Sequence, residues 1–170
     1  MDARVGTEGW GSGSGQAASS HGLPHPDASV HPSHAPTDDA LRQIVARDGV
    51  HVVHVWAPWC DNSLNEHGPV WTDWRSLGAD SVTFVTVWNE GESGAETLHE
   101  TGVEGAREVV VPGPKPEKPD RRLSLLGVPI SWIPTTLVFN RGGLLATAFA
   151  YGEVTRAQLA EAVDGARSDW

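Results

Sequence analysis

The feature that most constrains this fold is a β-branched run, VHVVHVW at 50–56, which stops at Ala57-Pro58-Trp59-Cys60 and passes directly into a helical pattern. A strand that is apolar on both faces belongs in the middle of a sheet, covered on both sides. After Cys60, the residues Leu64, His67, Trp71, Trp74 and Leu77 fall at helical spacing and share one face, and Gly68-Pro69 is expected to kink that helix. A second strand is predicted at 81–88 (SVTFVTVW). Two more are predicted at 136–140 and 144–151, joined by the turn Arg141-Gly142-Gly143, and a closing helix at 154–167 has Leu159, Ala162, Val163 and Ala166 inward. An opening helix is predicted from Thr37 toward Asp48, with Asp38 and Asp39 in its first turn.

Between these elements, Glu92, Glu96, Glu100, Glu104 and Glu108 recur every four residues, which predicts one amphipathic helix with an acidic, solvated stripe. Pro112, Pro114, Pro116 and Pro119 predict an extended loop over 109–120, followed by a short helical stretch at 121–126. Strands that alternate with helices imply an α/β fold with a central mixed sheet flanked by helices on both faces. Trp56, Trp71, Trp74 and Trp88 are expected in the core.

The folded pattern occupies residues 38–168. Residues 1–37 are rich in Gly, Ser, Pro and His, and Trp10, Leu23 and Val30 stand nearly alone as apolar residues. Such a segment buries too little apolar surface to offset its ordering entropy, so it is expected to be disordered. His21, His25, His31 and His34 make either a loose metal-binding tract or a solvated tail. Their irregular spacing, interrupted by prolines, favours the tail, and no metal is expected.

Charge narrows the function classes. With 22 acidic and 12 basic residues the formal net charge is −10, and Lys115 and Lys118 are the only lysines, so no nucleic-acid partner is expected. No apolar stretch approaches the roughly 20 residues that span a bilayer. The N-terminus lacks the basic start and apolar centre of a secretory signal, and the expectation is a cytoplasmic protein.

A single cysteine excludes an internal disulfide framework and a multi-cysteine metal site built by one chain. Its position is informative. At the start of a helix, free backbone N–H groups and the helix dipole favour the thiolate, which is the nucleophile in disulfide exchange.

The segment Val55-Trp56-Ala57-Pro58-Trp59-Cys60 before a helix, with Ile133-Pro134-Thr135-Thr136 opening a hairpin later, resembles the thioredoxin superfamily over residues 38–168. Glu66, six positions after Cys60, and the nearby Pro69 resemble the TlpA-like thiol-oxidoreductase branch that includes the cytochrome-maturation thioredoxins. The proline stands one residue later here than in that branch. The resemblance implies a thioredoxin-like fold, a cis-proline at Pro134 and thiol–disulfide exchange at Cys60. It also implies a groove for an extended substrate, lined by Trp59, Trp132, Ile133 and Pro134. Trp132 is bulkier than that family usually carries and is expected to narrow the groove.

The departure is Cys60-Asp61-Asn62-Ser63, where the family has Cys-x-x-Cys. Without a second thiol, a mixed disulfide on Cys60 must be resolved by glutathione or another small thiol, or persist as covalent capture. Ser63 either donates a hydrogen bond to the Cys60 thiolate or serves as a helix-start residue. His54 stands where thioredoxins place a buried acid, so it either assists proton transfer or is a hydrogen-bonded core histidine. Glu66 either accepts a proton or stabilises the helix N-terminus. Two functions follow. One is a monothiol thiol–disulfide oxidoreductase with no bound cofactor, acting on protein or small-molecule disulfides and thiols; the other is a non-catalytic binding module that kept the fold. A cluster-binding monothiol glutaredoxin does not fit the Trp-Ala-Pro-Trp lead-in. A peroxiredoxin-like peroxidase lacks its threonine, since position 57 is alanine. An engineered trapping variant at Ser63 stays open.

Overall fold

The structure, a computed structural model, describes residues 35–117, 122–150 and 152–168. The tail through His34, with its four histidines, lies outside the described residues, as do residues 118–121, Tyr151 and residues 169–170. The elements run in the order α1 (Ala35–Val45), β1 (His51–Trp56), α2 (Asp61–Glu66), a π-helical turn (His67–Trp71) and a 3₁₀ turn (Trp74–Leu77). They continue with β2 (Ser81–Thr86), α3 (Ala95–Glu100), β3 (Arg107–Val110), β4 (Leu123–Leu125), β5 (Val128–Ile130), β6 (Thr135–Phe139), β7 (Leu145–Phe149) and α4 (Arg156–Arg167).

Five strands form one sheet in the order β3-β2-β1-β6-β7, and β4 and β5 form a separate pair. β1 is parallel to β2 and antiparallel to β6, and all six of its residues are buried. This is what its unbroken apolar run requires. One face of the sheet packs Val52, Trp56 and Phe84 against Val70 and Trp71 of the π turn and against Leu159, Val163 and Ala166 of α4. The other packs Val53, Val55, Val85 and Leu137 against Leu41, Ile44 and Val45 of α1 and Leu123, Leu125 and Ile130 of the small hairpin. The chain is thus α/β, with a central mixed sheet flanked by helices on both faces.

The kink after Cys60 takes a definite form. Pro69 has no N–H to offer the carbonyl of Asn65, and the helix widens at that point, with Thr72 N–H donating to His67 O five residues back at 3.0 Å. At the far end Thr155 caps α4 reciprocally with Gln158.

Three expectations are corrected. The glutamate stripe is not one helix: α3 ends at Glu100, Gly102 turns with φ +79°, and the chain enters β3, which pairs in parallel with β2. Glu92 and Glu104 lie in connections and Glu108 lies on the strand, so the four-residue repeat is carried by helix only at Glu96 and Glu100. β3 also takes Val109 and Val110 out of the expected loop. Residues 123–125 are extended rather than helical, because Leu126 (φ 55°) and Gly127 (φ 80°) make a tight left-handed turn that folds β4 back on β5. Trp74 is half-buried rather than core, donating Nε1–H to Glu104 O at 3.1 Å, whereas Trp56, Trp71 and Trp88 are buried.

Glu108 is a structural anchor that the repeat concealed. Its carboxylate accepts from Thr86 Oγ1 at 2.5 Å, from the Gly94 N–H at 2.6 Å and from Ser93 Oγ, tying β2 and the start of α3 to β3. Replacing Glu108 with Ala strands these donors. It is expected to lower stability by about 1–3 kcal/mol, read as a lower urea midpoint. Replacing solvated Glu96 in the same way should leave the midpoint nearly unchanged.

Candidate functional site

The site forms where β1 delivers the chain to α2. Ala57 O accepts from Cys60 N–H at 3.0 Å, and this turn ends the strand and places Cys60 at the N-cap of α2 in extended conformation. Cys60 is a half-buried free thiol. Its Sγ lies 3.7 Å from the carbonyl oxygen of Ile133, and the Ile133–Pro134 peptide bond is cis. β6 begins at the next residue and pairs with β1, so the sheet itself brings the cysteine and the proline together across 73 residues of sequence.

Both tryptophans of the expected groove flank this point in sequence, and their settings differ. Trp59 is half-buried and pinned by its Nε1–H to Trp88 O at 2.9 Å. The Lys115 ammonium lies 3.5 Å from its ring centroid. That cation–π contact comes from the proline loop, where the sequence offered no sign of it. Trp132 is 55% exposed, and its carbonyl accepts from Thr135 Oγ1 at 2.8 Å.

Ser63 takes neither of its expected roles. The cap position is Cys60, so Ser63 lies inside the helix rather than at its start. Its side chain is fully buried, and its Oγ has no hydrogen-bond partner, Cys60 included, among the described residues.

Glu66 is not an exposed helix-start acid. It closes α2 and is buried, with Oε1 accepting from Val154 N–H at 2.6 Å and Oε2 from Trp71 Nε1–H at 3.3 Å. Burial raises its pKa from an ordinary 4.5 to about 7, against the pull of these two donors. Beside it, His54 Nε2 stands 3.8 Å from Glu66 Oε2 while His54 Nδ1 shares a 2.9 Å hydrogen bond with Thr136 Oγ1. Sequence spacing singled out both residues but not their proximity, which arises because β1 runs beneath the widened helix. His67, first read only as part of a helix face, joins them. It is buried, its Nδ1 meets Thr101 Oγ1 at 2.7 Å, and its ring lies 4.9 Å from Trp56 and 6.0 Å from Phe84. Desolvation lowers its pKa to about 4, and desolvation followed by the neighbouring His67 lowers that of His54 well below its ordinary value.

Among the described residues no group of three His, Cys, Asp or Glu side chains is arranged to hold a metal ion, and no helix is long and apolar enough to cross a membrane.

No protein-family model and no curated protein matches the chain. Solved structures do. A DsbF homologue from Corynebacterium diphtheriae matches at 24% identity and a TM-score of 0.56, covering 71% of this chain and 73% of that one. A secreted thiol–disulfide isomerase from Corynebacterium glutamicum matches at 20% identity and 0.50, covering 71% of each. A secreted disulfide oxidoreductase from Mycobacterium tuberculosis, homologous to DsbE of E. coli, matches at 11% and 0.50, covering 72% and 85%. These likenesses establish the thioredoxin-like fold. They also correct the expectation of a cytoplasmic location, since two of the three are described as secreted. That expectation rested on the composition of the first residues of the sequence.

The buried groups set the pH dependence of stability. Between pH 4.5 and about 7 the folded protein keeps a proton on Glu66 that the unfolded chain has released, so this group lowers stability as pH rises. Between about 4 and 6.5 the unfolded chain binds a proton that folded His67 refuses, and stability rises with pH; His54 acts in the same sense. Two imidazoles outweigh one carboxyl, so stability should climb with pH and level off near 7, where the release of the Glu66 proton balances what remains of the histidine contribution. Urea unfolding of Glu66→Gln should show a steeper climb over this range; superimposable pH profiles would contradict this assignment.

Proposed function

We propose that this thioredoxin-fold chain is a monothiol thiol–disulfide oxidoreductase working through Cys60. The observation that carries the reading is a half-buried thiol at a helix start, 3.7 Å from the carbonyl that precedes a cis-proline. The Cys60 thiolate attacks one sulfur of a substrate disulfide R–S–S–R′, forming Cys60–S–S–R, and R′–S⁻ leaves and takes a proton. A small thiol such as glutathione attacks the Cys60 sulfur of that mixed disulfide as its thiolate, and R–SH departs after protonation. A second thiol then attacks the small-molecule sulfur bound to Cys60. It releases the disulfide of the small thiol and returns Cys60 to its starting state. Two small thiols are oxidised for each substrate disulfide reduced.

The other residues take supporting roles in this reading. Glu66, with its pKa near 7, accepts the thiol proton and returns it to the leaving sulfur. Ser63 occupies the place of a resolving thiol, which leaves resolution to a thiol from outside the chain. Trp59 and Trp132 wall the groove in which the backbone of the Pro134 segment pairs with an extended substrate, a mode that secures affinity through main-chain hydrogen bonds. Likeness to secreted thiol–disulfide proteins supports placing this exchange outside the cytoplasm. The second reading, a binding module without turnover, is favoured by the absence of a second thiol in the chain.

Incubation with a peptide disulfide, followed by mass spectrometry without reductant, should give one peptide bound through Cys60. Glutathione should release it, and Cys60→Ser should capture none. Capture that glutathione does not release would favour the binding module, and no capture by the wild type would reject the chemistry. Ser63→Cys should gain reductase turnover with a dithiol donor, at least tenfold over the parent protein. Trp132→Ala should accelerate capture of protein disulfides while leaving small aromatic disulfides little changed.

A further inference from the structure

Where α2 and the π turn pack on β1 lies an enclosure whose polar groups are incompletely paired. Glu66 enters it from the end of α2, His54 from β1 and His67 from the π turn, and the walls are Trp56, Phe84 and Trp71. The His54 ring lies 4.5 Å from Trp71 and 5.2 Å from Phe84, so apolar surface covers it. Its Nε2 is buried with no hydrogen-bond partner among the described residues, and Glu66 Oε2 faces it at 3.8 Å. An unpaired buried ring nitrogen is costly, and a gap of this size closes to a hydrogen bond of about 2.9 Å with a small turn of the carboxylate.

The protonation of the ring decides what it can offer. Thr136 Oγ1 meets His54 Nδ1 at 2.9 Å and can donate or accept. When Thr136 donates, Nδ1 is the acceptor and Nε2 carries the ring proton, aimed at Glu66. A second proton on the ring is disfavoured by burial and by His67 across the enclosure. Glu153 precedes the Val154 N–H bonded to Oε1 and raises the carboxyl's proton affinity further, and Arg156 borders the same cavity as Glu66 with its guanidinium donating to the carbonyls of Val70 and Asp73. His54 is therefore the side chain placed to stabilise the ionised carboxylate beyond the donors from Trp71 and Val154.

We propose that His54 is a positioning residue for Glu66, donating Nε2–H as a neutral imidazole to Glu66 Oε2 when that carboxyl ionises. This rests on the reading of Cys60 and Glu66 above, and it assigns His54 an action through the carboxyl rather than on the sulfur. With the donor present, Glu66 ionises near neutrality; without it, the carboxyl holds its proton to higher pH and is a poorer acceptor for the thiol.

Carboxyl-carbon NMR of the full chain, titrated with pH, reads Glu66 directly. The wild-type midpoint is expected near 7. His54→Leu, which fills the space without a donor, should raise it by about one pH unit, a tenfold change in proton affinity. His54→Gln, which keeps a neutral N–H, should restore most of the wild-type midpoint. Nitrogen NMR of wild-type His54 serves independently of any variant's folding. Nε2 should read as the protonated nitrogen of a neutral ring above the Glu66 midpoint, and a ring protonated at Nδ1 alone would overturn the proposal. The pH profile for capture of a peptide disulfide by Cys60 should move with the Glu66 midpoint. An unmoved midpoint in His54→Leu with capture intact overturns the pairing alone. A shifted midpoint in a protein whose wild-type Cys60 captures nothing supports the pairing and overturns the reading of the thiol.

Discussion

Everything in this molecule is organised by the burial of β1 on both faces and along both edges. Its six residues are inaccessible to solvent, bonded to β2 on one side and β6 on the other. Since backbone groups removed from water must be paired, a central strand with two neighbours is the arrangement that satisfies it. The strand can end only where the chain escapes this environment, and Pro58 and the turn that closes at Cys60 provide the exit. The partner on the antiparallel side, β6, starts immediately after Pro134. Placement of the thiol against the Ile133 carbonyl is thus a consequence of strand pairing rather than of any contact made by the loop itself.

The same burial explains the unusual polar content beneath the site. Alternation along β1 sends His54 to the face shared with Val52 and Trp56, where the widened helix drops Glu66 and His67 onto it. In so apolar a setting each group favours its neutral form, so the two imidazoles are uncharged at neutrality and Glu66 titrates there. A carboxyl that titrates near pH 7 is suited to the proton transfer proposed for the exchange at Cys60. A cavity of about 370 Å³ is bordered by Asn65, Glu66, Pro69, Glu153 and Val154.

Most of the architecture was legible because its signals are local. The β-branched runs of β1 and β2, the Gly-Gly turn before β7 and the apolar face of α4 each act over a few residues. What escaped depends on long-range pairing. Glu108 matches a helical repeat, yet glycines at 102 and 105 turn the chain and β2 offers an open edge, so tertiary pairing overrides the periodicity. Leu123–Leu125 is a strand because of its turn and its partner, neither of which is visible as a local propensity. At the site, Cys60, Pro134, His54 and Glu66 were singled out by position, but the closeness of His54 to Glu66 was hidden. It depends on how α2 packs across β1, which spacing along the chain does not report. Lys115 over Trp59 was hidden for a simpler reason: loop geometry brings them together, not spacing.

The central claim is that one thiol can complete a cycle when a small thiol replaces the missing cysteine. Its most direct test is steady-state reduction of a peptide disulfide with glutathione as the sole reductant, comparing wild type with Cys60→Ser at equal concentration. Many turnovers per protein molecule are expected from the wild type, with the variant at the uncatalysed rate. A wild-type rate no greater than that of the variant would contradict the account, leaving a thioredoxin fold that binds without catalysing.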